Sequence, residues 1–209
     1  MKKIYNKVRN FCWKWCRKIK NRKLRERLTN STVSIISNNC TGGVISHDLG
    51  LRFLSPTVNL FMDANDFVKF CENLEYYLSI ENIEEKNDTT RTYPVGKLGD
   101  ITLYFVHYKT FEDACAKWME RKKRVDLNNI RILGCDRDGM NEELMDRFEL
   151  LPYPKVLFTH LPMNKKSAYY IKGYEKEKEV GLILEGIGWT GKRIIDQFDY
   201  VTFLNKGKI

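Results

Sequence analysis

Hydrophobic positions change period several times along the chain. Residues 2–28 contain neither Gly nor Pro, and Ile4, Val8, Phe11, Cys12, Trp15 and Ile19 recur at helical spacing. Lys2, Lys3, Lys7, Arg9, Lys14, Arg17 and Lys18 surround that stripe, which predicts a basic amphipathic helix. Thr32 to Ile36 is a short apolar run of strand length. It breaks at the polar turn Ser37-Asn38-Asn39-Cys40-Thr41-Gly42-Gly43 and is followed by a short helix over Val44 to Phe53. Ser55-Pro56 marks a break, Thr57 to Met62 a second strand, and Asp63 the N-cap of a helix from Ala64 to Leu78. Residues 81–92 are a polar connection.

Ile101 to Tyr108 is an alternating aromatic strand, introduced by an antiparallel edge around Pro94 and Gly99. A helix starts at Thr110 with Phe111, Ala114, Cys115, Trp118 and Met119 in period. Further strands are expected over Asn128 to Cys135, Lys155 to Thr159, Leu182 to Leu184 and Tyr200 to Leu204, with helices over Glu142 to Leu150 and Ile194 to Gln197. Strands alternating with helices predict an α/β layer fold with a mostly parallel sheet. Gly186, Gly188 and Gly191 do not make a dinucleotide fingerprint, because spacing and preceding context differ.

Charge divides this picture. Residues 1–30 hold twelve Lys and Arg against Glu26 alone, a net of +11, while the other 179 residues hold twenty-four bases and twenty-six acids, a net of −2. The expected organisation is therefore a basic helical extension, 1–30, and a single α/β domain, 31–209. No apolar run reaches the roughly 18 residues of a membrane span. With no secretory pattern at the N-terminus, reduced thiols in a cytoplasm are the expectation for the six cysteines, which show no paired metal spacing. The first 28 residues suit an anionic membrane surface, with Phe11, Trp13 and Trp15 as interfacial side chains. Packing on the domain or a partner subunit is the plainer alternative, and a basic helix alone is weak evidence for nucleic acid.

Candidate chemistry follows from one rule: an open parallel sheet binds ligands outside the carboxyl ends of its strands. Those ends carry Ser37, Asn38, Asn39 and Cys40; His107 and Tyr108; Asp136, Arg137 and Asp138; and Thr159 and His160. Cys40 stands at a helix start, where the dipole favours thiolate, and reads either as a nucleophile or as a small packing residue. In the first case His107 or His160 holds its proton, Asp136 orients the histidine, and the turn N–H groups near Gly42 and Gly43 hold an oxyanion. His47 caps the short helix or lines the pocket. Lys117, Arg121 and Arg124 share one helix face, either as a phosphate clamp or as an exposed face paired with glutamates. No compact motif supports a metal site.

Several ordered motifs form a connected series: Ser37-Asn38-Asn39-Cys40 with Gly42-Gly43, Leu49-Gly50-Leu51, Ser55-Pro56-Thr57, Asp66-Phe67, Lys69-Phe70, Tyr93-Pro94-Val95, Leu98-Gly99-Asp100, His107-Tyr108, and Lys117-Trp118 with Arg121 and Arg124. In these the chain resembles the bacterial domain-of-unknown-function family nineteen-nineteen, often labelled exopolysaccharide biosynthesis protein, from about Thr32 to His160 or beyond. Thr41 departs from the bulky aromatic expected in many relatives and alters the pocket wall. The resemblance implies a three-layer α/β sandwich and work on surface or capsular polysaccharide, and it carries no reaction. The expected function is a transferase, with acyl transfer favoured, acting on a glycan or lipid-linked saccharide at the cytoplasmic face of the inner membrane. Acetyl-CoA or a nucleotide-sugar is the expected donor, no cofactor is tightly bound, and other polysaccharide biosynthesis proteins are the expected partners. A sugar-phosphate or glycosyl transferase using the same edge, and a non-catalytic assembly protein, are the alternatives.

Overall fold

The computed structural model describes residues 2–209, with side chains from Tyr5 onward. The chain opens with helix α1 (Lys2–Arg27). The side chains of Ile4, the first position of the expected stripe, and of Lys2 and Lys3 from its basic surround lie outside the described residues. Strand β1 (Ser34–Ser37) is buried along its length and turns into α2 (Thr41–Leu49). That helix stops at Gly50, whose φ of 70° lets its N–H turn back onto the carbonyl of His47.

Residues 57–62 form no strand: the chain bends at Val58 and Asn59, the latter at a φ of 65°, and Phe61 alone bridges to Tyr104. The helix expected from Ala64 to Leu78 is two helices, α3 (Ala64–Glu72) and α4 (Leu74–Ser79), because Asn73 leaves helical geometry at φ −129°, ψ 46°. Next come β2 (Glu84–Glu85), β3 (Val95–Leu98) and β4 (Ile101–Tyr104). They pair antiparallel in a separate sheet, with Gly99 at a φ of 61° in the two-residue turn. The strand expected through Tyr108 thus stops at Tyr104 and is not part of the parallel sheet.

Thr110 caps α5 (Phe111–Lys122) by accepting from the Asp113 N–H, and Asn141 caps α6 (Glu142–Leu150) by accepting from the Leu144 N–H. Between them runs β5 (Ile130–Cys135); β6 (Lys155–Thr159) and β7 (Ala168–Tyr170) follow. The short hairpin β8 (Gly186–Ile187) and β9 (Lys192–Arg193) precedes α7 (Tyr200–Lys206). The last segment was expected as a strand. Its five-residue run of aromatic and β-branched side chains has no decisive period, and the Asp199 cap and Gly207 stop make it a helix.

Strands β1, β5, β6 and β7 form one parallel sheet in that spatial order. Alternate residues enter different cores, as strand geometry requires. Ile36, Ile130, Ile132 and Leu157 join Phe67, Phe70, Trp118 and Phe148. Ile35, Leu133, Val156 and Phe158 join Ile45, Phe198, Phe203 and Leu204. The protein is thus mixed α/β, with a parallel four-stranded sheet, additional antiparallel sheets and seven α-helices among the described residues. Among them no helix is long and apolar enough to cross a membrane.

Helix α1 is held by the β8–β9 hairpin. The Trp13 indole donates to the Lys192 carbonyl at 3.2 Å, and the Arg193 guanidinium lies 5.6 Å over its ring. Gly191, at a φ of 68°, packs so closely that a Cβ would stand 2.4 Å from the Arg17 nitrogen. Arg17 itself is buried and reaches Asp48 at 2.5 Å and Asp196 at 2.8 Å.

Candidate functional site

A cleft of about 470 Å³ opens at the carboxyl edge of the parallel sheet. Asn39 and Cys40 bring the end of β1 to it, Arg137 and Asp138 the end of β5. His107 and Phe61 close one side, and residues 181–185 the other. A ligand-sized hollow at this edge is where a parallel sheet places one. His107 reaches it from the loop after β4, where its N–H donates to the Asn59 carbonyl at 3.3 Å.

The turn after β1 uses its own polar groups. The Ser37 hydroxyl donates to the Asn39 carbonyl at 2.6 Å and accepts from the Gly42 N–H at 3.1 Å. The Thr41 N–H donates to Asn39 Oδ1 at 2.9 Å. Two N–H groups that the sequence offers to an oxyanion therefore already have partners. The glycines serve close packing: a Cβ on Gly42 would stand 2.7 Å from Ser37 Oγ, and one on Gly43 3.3 Å from Val58 Cγ1. Asn38 is wholly buried, with its carbonyl accepting from the Met62 N–H at 2.9 Å. The Asn39 amide donates to Cys135 Sγ at 3.0 Å.

Cys40 occupies the N-cap position of α2, and burial pushes its thiol up. The helix end was expected to favour thiolate, whereas burial acts in the opposite direction. Cys135, deeper under the same edge, is pushed up to about 12 by burial.

Asp136 accepts three hydrogen bonds. Its Oδ1 takes the Val180 N–H at 2.7 Å, and its Oδ2 takes the His160 N–H at 2.8 Å and faces His160 Nδ1 at 2.6 Å. The carboxylate pins the ends of β5 and β6 and the chain at Val180 to one point. His160 thus has the orienting acid, while His107 shares the cleft with Cys40. The sequence assigned both properties to one histidine, and the structure divides them.

Arg137 Nε donates to Asp138 Oδ2 at 3.1 Å, and Nη1 to the Gly181 carbonyl at 3.5 Å. Asp138 holds a φ of 58°, rare for a residue with a side chain, and burial pushes its carboxyl up against the opposing effect of Arg137. His47 is exposed on α2, 3.7 Å from Asp48, away from the residues that line the cleft.

The basic face of α5 is occupied elsewhere. Arg121 Nη1 donates to the Tyr108 hydroxyl at 2.7 Å and lies 5.3 Å over the Phe53 ring. Tyr108 in turn donates to the Val58 carbonyl at 3.2 Å, Arg124 donates to the Phe53 carbonyl at 3.2 Å, and Lys117 pairs with Glu120 at 2.8 Å. Arg121, Tyr108 and Arg124 fasten the 53–58 segment, Lys117 stays on its own helix, and none of the four lines the cleft. No cluster of three metal-ligating side chains occurs among the described residues.

Phe61 and residues 181–185 are cleft residues that the sequence reading did not select. Asp138-Gly139 carried a turn signal that suits its positive φ. Phe61 stacks on Tyr104 at 4.4 Å, a contact between segments 43 residues apart in the chain. Leu182 to Leu184 was expected as a strand and is instead turn and irregular chain that lines the cleft.

A family model described as Domain of unknown function (DUF1919) matches residues 12–205. A Haemophilus influenzae protein that bears the name "Uncharacterized protein" is 45% identical over 187 residues, covering 88% of this chain and 90% of that one.

Proposed function

This chain belongs to the DUF1919 family, and on that premise we propose that it is a transferase of surface or capsular polysaccharide biosynthesis, placing an acyl group on a saccharide or glycolipid intermediate. The observation that carries this reading is the cleft at the carboxyl edge of the sheet, where His107 stands with Cys40, Arg137 and Asp138. We read the fold as a three-layer sandwich and α1 as a basic amphipathic helix that holds the protein at the cytoplasmic membrane face, beside other proteins of the polysaccharide machinery.

In the proposed reaction an acceptor hydroxyl attacks the carbonyl carbon of an acyl thioester such as acetyl-CoA. His107 takes the hydroxyl proton, the new C–O bond forms, the C–S bond breaks, and the departing thiolate regains a proton. Apolar walls at Phe61 and Leu184 exclude water that would compete as acceptor. Arg137, anchored on Asp138 and Gly181, orients a polar or anionic part of the substrate. A second reading has Cys40 as an acyl-carrying nucleophile, favoured by its sharing the cleft with His107. Its thiol is held protonated by burial, so it must pass its proton to His107 as it attacks.

Labelled acetyl-CoA with a glycan acceptor tests both. His107→Ala should reduce transfer by about 10²-fold or more, while Cys40→Ser stays within a few-fold and no acetyl-enzyme is found by mass. An acetyl adduct lost in Cys40→Ser moves the reaction to the thiol route. Transfer undiminished in His107→Ala overturns the proposal.

A further inference from the structure

Seven of the eleven exposed large apolar side chains among the described residues lie on two adjoining pieces of chain. Tyr5, Val8, Phe11 and Trp15 stand on α1, and Leu182, Ile187 and Trp189 stand on or just before the β8–β9 hairpin. At about 100° per residue, the four helix positions fall within a sector of roughly 120°. The opposite side of the helix is the one docked through Trp13, Arg17 and Asn21. Phe11 is 73% and Trp15 61% exposed, which is far more than packing on this domain leaves open. Trp189 meets Tyr5 edge to face at 5.2 Å, so the hairpin tip extends the helix stripe into one patch. Lys7, Arg9, Lys14, Lys18, Arg22 and Lys23 are exposed along the same helix.

We propose that this patch is a single membrane-docking face, in which the β8–β9 hairpin inserts beside α1 into an anionic lipid surface. The inference rests on the membrane placement proposed above and adds a second insertion element and an orientation. Apolar side chains fringed by cations match the interface of an anionic bilayer, where aromatic rings sit at headgroup level and cations meet lipid phosphates. A second copy of the chain is the poorer occupant, because a two-fold contact would bring the same cations against each other. Glu185 lines both the cleft and a hollow bounded by Arg9, Trp13 and Gly186, so the docking face abuts the cleft. A protein seated this way presents its cleft at the lipid surface, which suits a saccharide carried on a lipid.

Flotation of the full chain tests the face without any assay of catalysis. Vesicles of phosphatidylcholine with 30% phosphatidylserine are compared with phosphatidylcholine alone, in low and high salt. The chain should float with the anionic vesicles and be released by salt. Phe11→Asp and Ile187→Asp should each weaken partition at least tenfold, with circular dichroism unchanged. An Ile187→Asp chain that floats as well as wild type overturns the shared face. So does a wild-type chain that ignores anionic vesicles, or one that sediments as a dimer dissociated by Phe11→Asp. Absence of acyl transfer, with flotation as expected, would refute the proposed reaction and leave the docking face standing.

Discussion

Arg17 and Asp48 meet at 2.5 Å with side chains 6% and 4% exposed, which ties one face of the first helix into the interior of the domain. The same guanidinium reaches Asp196, while Arg193 and Lys20 share the two acids. Removing one member of a buried pair strands the other. Arg17→Met should cost about 3 kcal/mol, the low end for such pairs because Arg193 and Lys20 remain. A urea midpoint reads the loss, and a change under about 0.5 kcal/mol would contradict the assigned geometry.

Acid should loosen the same contact. Burial alone would raise the Asp196 carboxyl, but the Arg193 N–H, the Arg17 charge and hydrogen bonds from Lys20 and Arg17 hold it below its ordinary 3.8. A carboxyl depressed in the folded state stabilises fully above its unfolded value, and that contribution disappears as pH falls through the folded value. The loss therefore lies below about pH 4. Amide exchange in α1 should rise there before exchange in β5, and Asp196→Asn should abolish the difference.

Asp136 is predicted to matter for stability before chemistry. Asp136→Ala leaves the Val180 and His160 N–H groups without their acceptors, at about 2–4 kcal/mol. Asp136→Asn keeps one of the two acceptor oxygens and should cost less than the alanine variant. Limited proteolysis of residues 173–185 should accelerate in the alanine variant; resistance equal to wild type would separate Asp136 from that segment.

The glycines of the first turn distinguish packing from ligand approach. Gly42→Ala brings a Cβ to 2.7 Å from Ser37 Oγ and 3.0 Å from Ile35 Cγ2, and overpacking of this kind costs about 1–3 kcal/mol. Gly43→Ala meets only Val58 at 3.3 Å and should cost less than about 1 kcal/mol. Equal stability of both variants, with ligand binding lost in the first, would restore the turn N–H groups as an oxyanion site.

Elements with local punctuation were legible. Asn141, the period of residues 142–150 and the buried run Lys155–Thr159 gave α6 and β6 with their bounds. Tyr200 to Leu204 was misread because its side chains suit either element, and the caps that decide it lie just outside the run. Thr57 to Met62 has strand composition but pairs only at Phe61, since Asn59 turns to a positive φ just before it, which only tertiary structure reveals. The site followed the same division. Strand-end reasoning brought Cys40, Asn39 and Arg137 to the cleft. It could not separate His107 from His160, since their difference lies in which chain segments meet Asp136.

The run from Val180 to Arg193 is tied at one end to the sheet through Asp136 and at the other closes around Trp13. Its first half walls the cleft and its second half clasps α1. Glu185 borders both the cleft and the hollow beside α1, so the cleft wall and the seat of the helix belong to one stretch of chain. A chain shortened by its first helix would lose the partner of the hairpin that continues the cleft wall, as well as its net positive charge.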